Sequence, residues 1–318
     1  MTLRTVTLSP GFDHLVRIDD AEPGEVGRVL AWEVVAAGKG INAARVAALL
    51  GVDCVAYTLV GEADEHEFRR HCASSNVPVV TFPVPGETRR NLTLTVGQGA
   101  ALASHAVGPR LAGAADVHAD GLIRQLVSDV EPGDIVTFNG AVAGSVRQDV
   151  WAEAATVLQA RGASVVADVQ GEPLLSLVRT GIPVMVKPNE HEALALAPGA
   201  AGVAPDDAAW AAVIERMEHF GVTDAMVTIG SRGIIHREDA VVMRSWCPVD
   251  DPSVTVGAGD AFLAGYCAAL TTREWNDWRP IELGLACAAA HVSGSQGTGF
   301  RATVDGFRSE IHHERLTS

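Results

Sequence analysis

Short apolar runs alternate with longer amphipathic stretches along most of this chain, which predicts strands alternating with helices. Residues 4–10, 53–61 and 134–140 are short and rich in β-branched residues, and turn residues flank them, as is typical of buried strands. Residues 41–51 place their apolar side chains at helical spacing, and Gly51 suits the end of that helix.

The same alternation continues through the second half of the chain. Helices are predicted over 145–162, 172–181 and about 206–220, and strands over 163–169, 182–188 and 223–230. Strands that alternate with helices imply a parallel sheet covered on both faces. No low-complexity linker divides the chain, so we expect one α/β domain over residues 1–318.

Two segments, residues 13–35 and 86–107, interrupt this rhythm with short strands and turns. Neither has room for a helix that crosses between parallel strands, so we expect a small separate sheet that acts as a lid or a dimer surface. Surface hairpins without a function are the alternative.

Composition and charge narrow the possible functions. The net charge of −15 argues against a nucleic-acid surface, which needs a basic patch, but a few local cations are enough for a small phosphorylated ligand. The five cysteines are far apart and form no C-x-x-C pair, and no apolar run has the length of a membrane span. We therefore expect a cytoplasmic protein without membrane association.

The strongest candidate chemistry lies in residues 255–270. Gly257, Ala258 and Gly259 lead directly into a helix whose start contains Asp260. The free N–H groups of a helix start bind anions, and a carboxylate beside them can accept a proton from an attacking hydroxyl. The alternative is that Asp260 only caps the helix.

Two further motifs carry the only two lysines of the chain. Lys187 precedes Asn189 and Glu192 at the predicted end of a strand, where their oxygens could hold hydrated Mg²⁺ or form a helix capping box. Lys39 lies in residues 36–42, a turn that matches neither a Walker A loop nor a G-x-G-x-x-G fingerprint. It could pair with a phosphate, or the turn could be an ordinary one.

Taken together, these motifs resemble one family, the PfkB or ribokinase-like carbohydrate kinases. Residues 37–51 and 255–265 look like its two signatures, and residues 187–192 match the N-x-x-E element between them. The start of the chain and residues 86–91 look most like the branch of 1-phosphofructokinase and tagatose-6-phosphate kinase. The resemblance implies a three-layer α/β/α fold with a mostly parallel central sheet and a small β-sheet lid, often a homodimer contact. It also implies Mg²⁺- and ATP-dependent phosphorylation of a sugar or sugar phosphate.

The resemblance also implies a role for each matched residue. On the substrate side, Asp260 is the base, and the amides of Gly257, Ala258 and Gly259 form an anion hole. Sugar hydroxyls are assigned to Asp13, Gly38 and Asn42, the substrate's own phosphate to Lys39, Arg89 and Arg28, and a further substrate contact to Asn139. On the nucleotide side the residues are Lys187, Asn189, Glu192, Thr228, Gly230 and Gly233, with Asn189 and Glu192 holding Mg²⁺ through water and helix 281–293 beside the adenine.

Several positions depart from the pattern of that branch, mainly on the sugar side. Ser9, Ala37, Asn139 and Val254 replace residues that the branch usually has. The acceptor therefore stays open among fructose 1-phosphate, fructose 6-phosphate and tagatose 6-phosphate. The rival functions are a kinase of a non-phosphorylated sugar or nucleoside and a non-catalytic protein that only binds a sugar phosphate.

Overall fold

The structure is a computed structural model that describes residues 1–19, 26–97, 101–182, 184–195, 207–219, 222–295 and 297–316. The strands are β1 (Leu3–Thr7), β2 (Gly11–Ile18), β3 (Val29–Ala37), β4 (Cys54–Gly61), β5 (Val79–Val84), β6 (Arg89–Val96), β7 (Ala101–Ala106), β8 (Ile135–Asn139), β9 (Ser164–Asp168), β10 (Val184–Val186), β11 (Val222–Thr228), β12 (Ile234–Glu238), β13 (Val241–Trp246) and β14 (His312–Arg315). The helices are α1 (Lys39–Leu49), α2 (Glu65–Ser74), α3 (Asp116–Asp129), α4 (Val150–Ala160), α5 (Glu172–Arg179), α6 (Glu190–Ala195), α7 (Asp207–His219), α8 (Ala258–Thr271), α9 (Pro280–Val292) and α10 (Phe300–Gly306).

Ten strands form one large sheet in the order β14-β13-β12-β11-β10-β9-β8-β1-β4-β5. The strands from β11 to β5 pair in parallel, whereas β12, β13 and β14 extend one edge with antiparallel pairs. The predicted mostly parallel sheet is therefore confirmed. The carboxyl ends of β8, β9 and β10 lie side by side, and this edge is where parallel sheets bind ligands.

Apolar side chains cover both faces of this sheet, as the near-continuous apolar strands predict. One core cluster packs α3, α4, α5 and α7 against one face, with Trp151 stacked on Phe138 of β8 at a ring separation of 4.5 Å. The other cluster packs α1, α2, α8, α9 and α10 against the opposite face. These two clusters confirm the expected three layers. Among the described residues, no helix is both long and apolar enough to span a bilayer.

One predicted helix begins later than expected. Helical periodicity predicted residues 145–162, but α4 starts only at Val150. The backbone N–H of Arg147 donates to Asp116 of α3 at 2.6 Å, and its guanidinium binds Asp120 and Glu153. These polar contacts hold residues before Val150 in a loop, and the apolar pattern gives no sign of them.

The remaining four strands form the small sheet predicted from residues 13–35 and 86–107, in the order β3-β2-β6-β7. Strand β2 pairs with β3 in antiparallel and with β6 in parallel register, and β6 pairs with β7 in antiparallel register. Residues 20–25 and 98–100 of the predicted segments lie outside the described residues. Because β3 ends at Ala37 and α1 begins at Lys39, the small sheet joins the large one directly beside the candidate site.

Candidate active site

The fold brings four charged side chains to the carboxyl edge of the large sheet. Lys39 begins α1, Asp168 ends β9, Lys187 follows β10 and Asp260 lies in the first turn of α8. Three of them were predicted as site residues, and the fold brings those three together although up to 221 positions separate them in the sequence. Asp168 was not predicted.

Asp168 binds both lysines of the chain through one oxygen. Its Oδ1 atom lies 3.1 Å from the Lys39 Nζ atom and 3.3 Å from the Lys187 Nζ atom. Asp168 is 1% exposed and Lys187 is 3% exposed, and Asp168 Oδ2 has no hydrogen-bond partner. Burial opposes ionisation of Asp168, but the two ammonium charges outweigh it and hold its pKa below the ordinary value. The cluster is therefore a buried carboxylate between two cations.

The Asp260 side chain bonds to Asn42 rather than capping its own helix. It makes no capping hydrogen bond, and its Oδ2 atom accepts a 2.8 Å bond from Asn42 Nδ2. Burial and the nearby charge of Asp168 raise its pKa to about 7. Arg45, which was not predicted, donates to the Ala36 carbonyl at 2.6 Å and lies 3.5 Å from Asn42 Oδ1. Arg45 thus favours the amide orientation in which Asn42 donates to Asp260.

The start of α8 presents backbone amides beside these charges. Gly257 adopts φ +91°, a left-handed conformation that favours glycine, and Ala258 N–H donates to Thr255 at 3.4 Å. The Lys187 ammonium would lie 3.5 Å from a Cβ atom at Gly259, so a larger residue there would crowd the lysine. Free N–H groups in a first helical turn can hold an anion.

The predicted sugar side of the site is built mainly by the small sheet. Asp13 Oδ1 accepts a 2.7 Å bond from Asn91 Nδ2, and Asn91 Oδ1 in turn accepts from the Gly108 N–H at 3.2 Å. Both ends of the Asn91 amide are used, so Asn91, which was not predicted, orients the Asp13 carboxylate. Arg89 donates to the Ser9 carbonyl at 3.1 Å, and its buried Nε atom has no partner.

The pKa of Arg89 responds to a second basic residue on this side of the site, Arg110. Burial lowers the pKa of Arg89, the charge of Asp13 opposes that effect, and the like charge of Arg110 adds to it. Arg110 is exposed and was not predicted from the sequence. The charges of Asp13 and Arg110 therefore both act on the Arg89 guanidinium.

Three predicted substrate residues differ in burial and in contacts: Gly38, Asn139 and Arg28. Gly38 lies at the turn into α1 with φ +134°, where a Cβ atom would be 3.0 Å from Thr7. Asn139 is fully buried, and its amide nitrogen donates to Thr137 and to the Val6 carbonyl, so its side chain does not reach the surface of the cleft. Arg28 is exposed beside β3, and its backbone N–H donates to Asp19. The predicted substrate contact of Asn139 and the predicted phosphate contact of Arg28 therefore stay predictions.

On the nucleotide side, Asn189 and Glu192 form a reciprocal capping box. Asn189 N–H donates to Glu192 Oε2 at 2.8 Å, and Glu192 N–H donates to Asn189 Oδ1 at 3.0 Å. The other oxygen of Glu192, Oε1, is buried without a hydrogen-bond partner. Within the described ranges, no three His, Cys, Asp or Glu side chains converge as a metal site. An unpartnered carboxylate oxygen fits Mg²⁺, which prefers oxygen ligands, usually keeps several waters and binds few protein groups.

Thr228, Gly230 and Gly233 continue this side at the end of β11. Thr228 N–H donates to the Pro188 carbonyl at 3.0 Å, which joins the residue to the lysine and N-x-x-E segment. Gly230 and Gly233 have φ +62° and +102°, and a Cβ atom at Gly233 would lie 2.2 Å from the Ser245 carbonyl. The predicted nucleotide residues are therefore neighbours along one edge of the sheet.

Comparison with known proteins identifies the family. The family model described as pfkB family carbohydrate kinase matches residues 10–302. The chain belongs to this family. This pfkB-family kinase is 30% identical to the 1-phosphofructokinase of Xanthomonas campestris, over 96% of this chain and 94% of the relative. The predicted enzyme class is thereby confirmed.

Solved structures agree with the fold of this pfkB-family kinase. It is similar to phosphofructokinase-2 from Escherichia coli in complex with fructose-6-phosphate, with a TM-score of 0.83, 23% identity and coverage of 96% of this chain and 98% of that one. It is also similar to ribokinase from Thermotoga maritima, with a TM-score of 0.67, 18% identity and coverage of 97% and 99%. The predicted ribokinase-like fold is therefore confirmed.

Proposed function

We propose that this kinase transfers the γ-phosphoryl group of ATP to a hydroxyl of a sugar phosphate, with fructose 1-phosphate as its preferred acceptor. The observation that carries this proposal is the meeting of Asp260, Lys39 and Lys187 around Asp168, at the start of α8. The similarity to a 1-phosphofructokinase supports the choice of acceptor. A protein that only binds sugar phosphates would have no need of a buried base beside a helix start.

We assign each part of the transfer to a group of the site. Asp260 takes the proton of the acceptor hydroxyl, the hydroxyl oxygen forms a bond to the γ-phosphorus, and the bond from that phosphorus to the bridging oxygen of ADP breaks. A pKa of about 7 suits a base that works near neutral pH. The amides at the start of α8 and the two ammonium groups stabilise negative charge on the transferring group.

We assign Lys39 to a different phosphate from the one that the resemblance implies. Lys39 shares the same Asp168 oxygen with Lys187 and is also influenced by the charge of Asp260, so we place it at the transferring phosphoryl group. Arg89 and Arg110 lie on the side of Asp13, so we place them at the phosphate already present on the acceptor. A compact lysine suits the crowded centre, and arginine suits a bidentate phosphate contact.

On the nucleotide side, we place Lys187 at the phosphates of ATP and Thr228, Gly230 and Gly233 along the nucleotide. Asn189 and Glu192 would hold Mg²⁺ through its waters, and bound Mg²⁺ would neutralise charge on the phosphates. The buried, unpartnered Glu192 Oε1 supports this assignment.

A comparison of acceptors tests the proposed substrate. ADP formation is measured with fructose 1-phosphate, fructose 6-phosphate, tagatose 6-phosphate and fructose at equal concentrations. We expect the highest kcat/KM with fructose 1-phosphate and a value at least tenfold lower with fructose. Equal values for phosphorylated and unphosphorylated sugars would contradict the proposal and favour a kinase of neutral sugars.

We further propose that the enzyme is a homodimer joined through the small sheet. Trp32, Leu30 and Leu92 are 65%, 50% and 42% exposed. Strand register places Trp32 and Leu92 on the face opposite Asp13, since Trp32 is paired with Val16 and Leu92 with His14. A second copy of this face would cover these apolar side chains. Light scattering should give a dimer for the wild type and a monomer for Trp32→Glu, whereas a monomeric wild type would contradict the proposal.

We place the enzyme in the cytoplasm. All five cysteines are free, and burial raises the pKa of Cys54 and Cys72 to about 11. Unpaired cysteines suit a reducing compartment. Fractionation of cells that express the tagged protein tests this placement, and recovery in a membrane or secreted fraction would contradict it.

A further inference from the structure

The turn that leads into α8 is held by a histidine from the end of α9. His291 Nε2 lies 2.8 Å from the carbonyl oxygen of Val256, the residue before Gly257. A carbonyl oxygen can only accept, so Nε2 carries the hydrogen and donates it. The imidazole also packs against Gly257, because a Cβ atom there would lie 3.1 Å from Nε2 and 3.3 Å from Cε1. The histidine therefore makes contact with both residues of the Val256–Gly257 peptide.

This bond determines the direction of one predicted anion-hole amide. The peptide group between Val256 and Gly257 is planar, and the structure contains no cis peptide among the residues described. In a trans peptide, the carbonyl oxygen and the following N–H point to opposite sides. Holding the Val256 oxygen towards His291 therefore aims the Gly257 N–H away from α9. Gly257 needs such a constraint because its left-handed conformation leaves glycine many alternatives.

The neighbouring backbone of α9 holds the same turn at a second point. The Val292 carbonyl accepts hydrogen bonds from the Ser253 N–H at 2.8 Å and from the Val254 N–H at 3.2 Å. These bonds fix the beginning of the turn, three residues before Gly257, but neither of them contacts the Val256–Gly257 peptide. His291 is thus the described side chain that fixes this last peptide.

We propose that His291 is a positioning residue for phosphoryl transfer, which aims the Gly257 N–H at the transferring group. The inference rests on the proposed function, because the Gly257 N–H is catalytic only if an anion forms there. Without the imidazole, the 256–257 peptide rotates and the amide no longer points at the site. The effect falls on the transition state rather than on binding of either substrate.

Steady-state kinetics of His291→Ala and His291→Gln test this inference. Removing one anion-hole donor typically lowers kcat by about 10²–10³, so a misdirected donor in His291→Ala should lower kcat by about ten- to a hundredfold with both KM values within about twofold. Glutamine retains an N–H that can reach the same carbonyl, so His291→Gln should recover kcat to within about threefold of wild type. His66→Ala, which changes an exposed histidine of α2, is the matched control and should leave kcat unchanged.

Three outcomes would overturn the inference: an unchanged kcat in His291→Ala, a lowered kcat that glutamine does not recover, or a raised KM for ATP at constant kcat. Hydrogen–deuterium exchange over residues 251–260 separates this test from the proposed function. Faster exchange in His291→Ala than in His291→Gln is expected whether or not the acceptor is a sugar phosphate. Equal exchange in the two variants would overturn the inference without bearing on the reaction.

Discussion

Replacing Asp168 by asparagine should move the pH dependence of the reaction towards acid. Burial and the Asp168 charge raise the pKa of Asp260 to about 7, whereas Lys39 and Lys187 lower it. Asp168→Asn removes the repulsive charge and also leaves both lysine charges unneutralised, so both effects favour ionised Asp260. The ionised form is the proton acceptor, so the variant should keep its base active at lower pH than the wild type does.

The size of this effect follows from the pKa of Asp260. With a pKa of about 7, roughly one Asp260 side chain in eleven is ionised at pH 6. Burial, the largest cause of the raised pKa, remains in Asp168→Asn, so the pKa of Asp260 falls without returning to the ordinary 3.8. A fall of about one unit would leave about half of the Asp260 side chains ionised at pH 6, so the ratio of kcat/KM at pH 6 to its value on the high-pH plateau should rise by about fivefold. The plateau itself should fall, because the lysines lose the carboxylate that positions them.

The assay is kcat/KM for the acceptor between pH 5 and 8, since that parameter reports ionisations of the free enzyme. The acceptor's own phosphate also titrates in this range, but it does so equally with both enzymes and cancels in the comparison. Asp277→Asn, which changes an exposed carboxylate paired with Arg308, is the matched control. An acid limb in Asp168→Asn that stays at the wild-type pH, or moves to higher pH, would refute this account of the Asp260 pKa.

Three further substitutions test the assignments around the site and the core. Lys39→Ala should lower kcat by about a hundredfold with a smaller change in the acceptor KM, because its charge acts on the transferring group; a change confined to KM would return Lys39 to the acceptor's phosphate. Arg110→Gln should raise KM for fructose 1-phosphate by about tenfold while leaving KM for ATP unchanged, and equal changes would contradict its placement. Arg4→Met should lower the free energy of unfolding by about 3 kcal/mol in urea denaturation, because it leaves the buried Asp134 carboxylate without a cation; a loss below about 1 kcal/mol would show that the backbone N–H groups of Thr2 and Glu131 are enough to hold that charge.

Local patterns were sufficient for the elements that surround the site. The apolar runs around β1, β8 and β9 and the helical spacing in α1 are properties of neighbouring residues, so the sequence alone predicts them. The glycines and Asp260 at the start of α8 were found for the same reason. The start of α4 at Val150 was not, because it depends on contacts of Arg147 with carboxylates of another helix.

Three residues were not predicted because their neighbours come from distant segments of the chain: Asp168, Asn91 and Arg110. Asp168 ends an ordinary buried strand, and its importance comes from the adjacency of β8, β9 and β10, which places it between the two lysines. The available signal was a charged residue at the carboxyl end of a buried strand, which is the signal that identified Lys187. Asn91 is paired with Asp13 across two strands of the small sheet, and the charge of Arg110 acts on Arg89. Hydrophobic periodicity along the chain does not predict such contacts between separate segments.

The most direct test of the central claim is ³¹P nuclear magnetic resonance of the purified enzyme with ATP, Mg²⁺ and fructose 1-phosphate. The account predicts one new phosphate ester on the sugar for each ADP formed. It also predicts a rate about 10³-fold lower for Asp260→Asn, in which thermal unfolding and ATP affinity stay close to wild type. ADP formed without a new sugar ester, or an Asp260→Asn rate within tenfold of wild type, would contradict the claim that Asp260 is the base of a sugar-phosphate kinase.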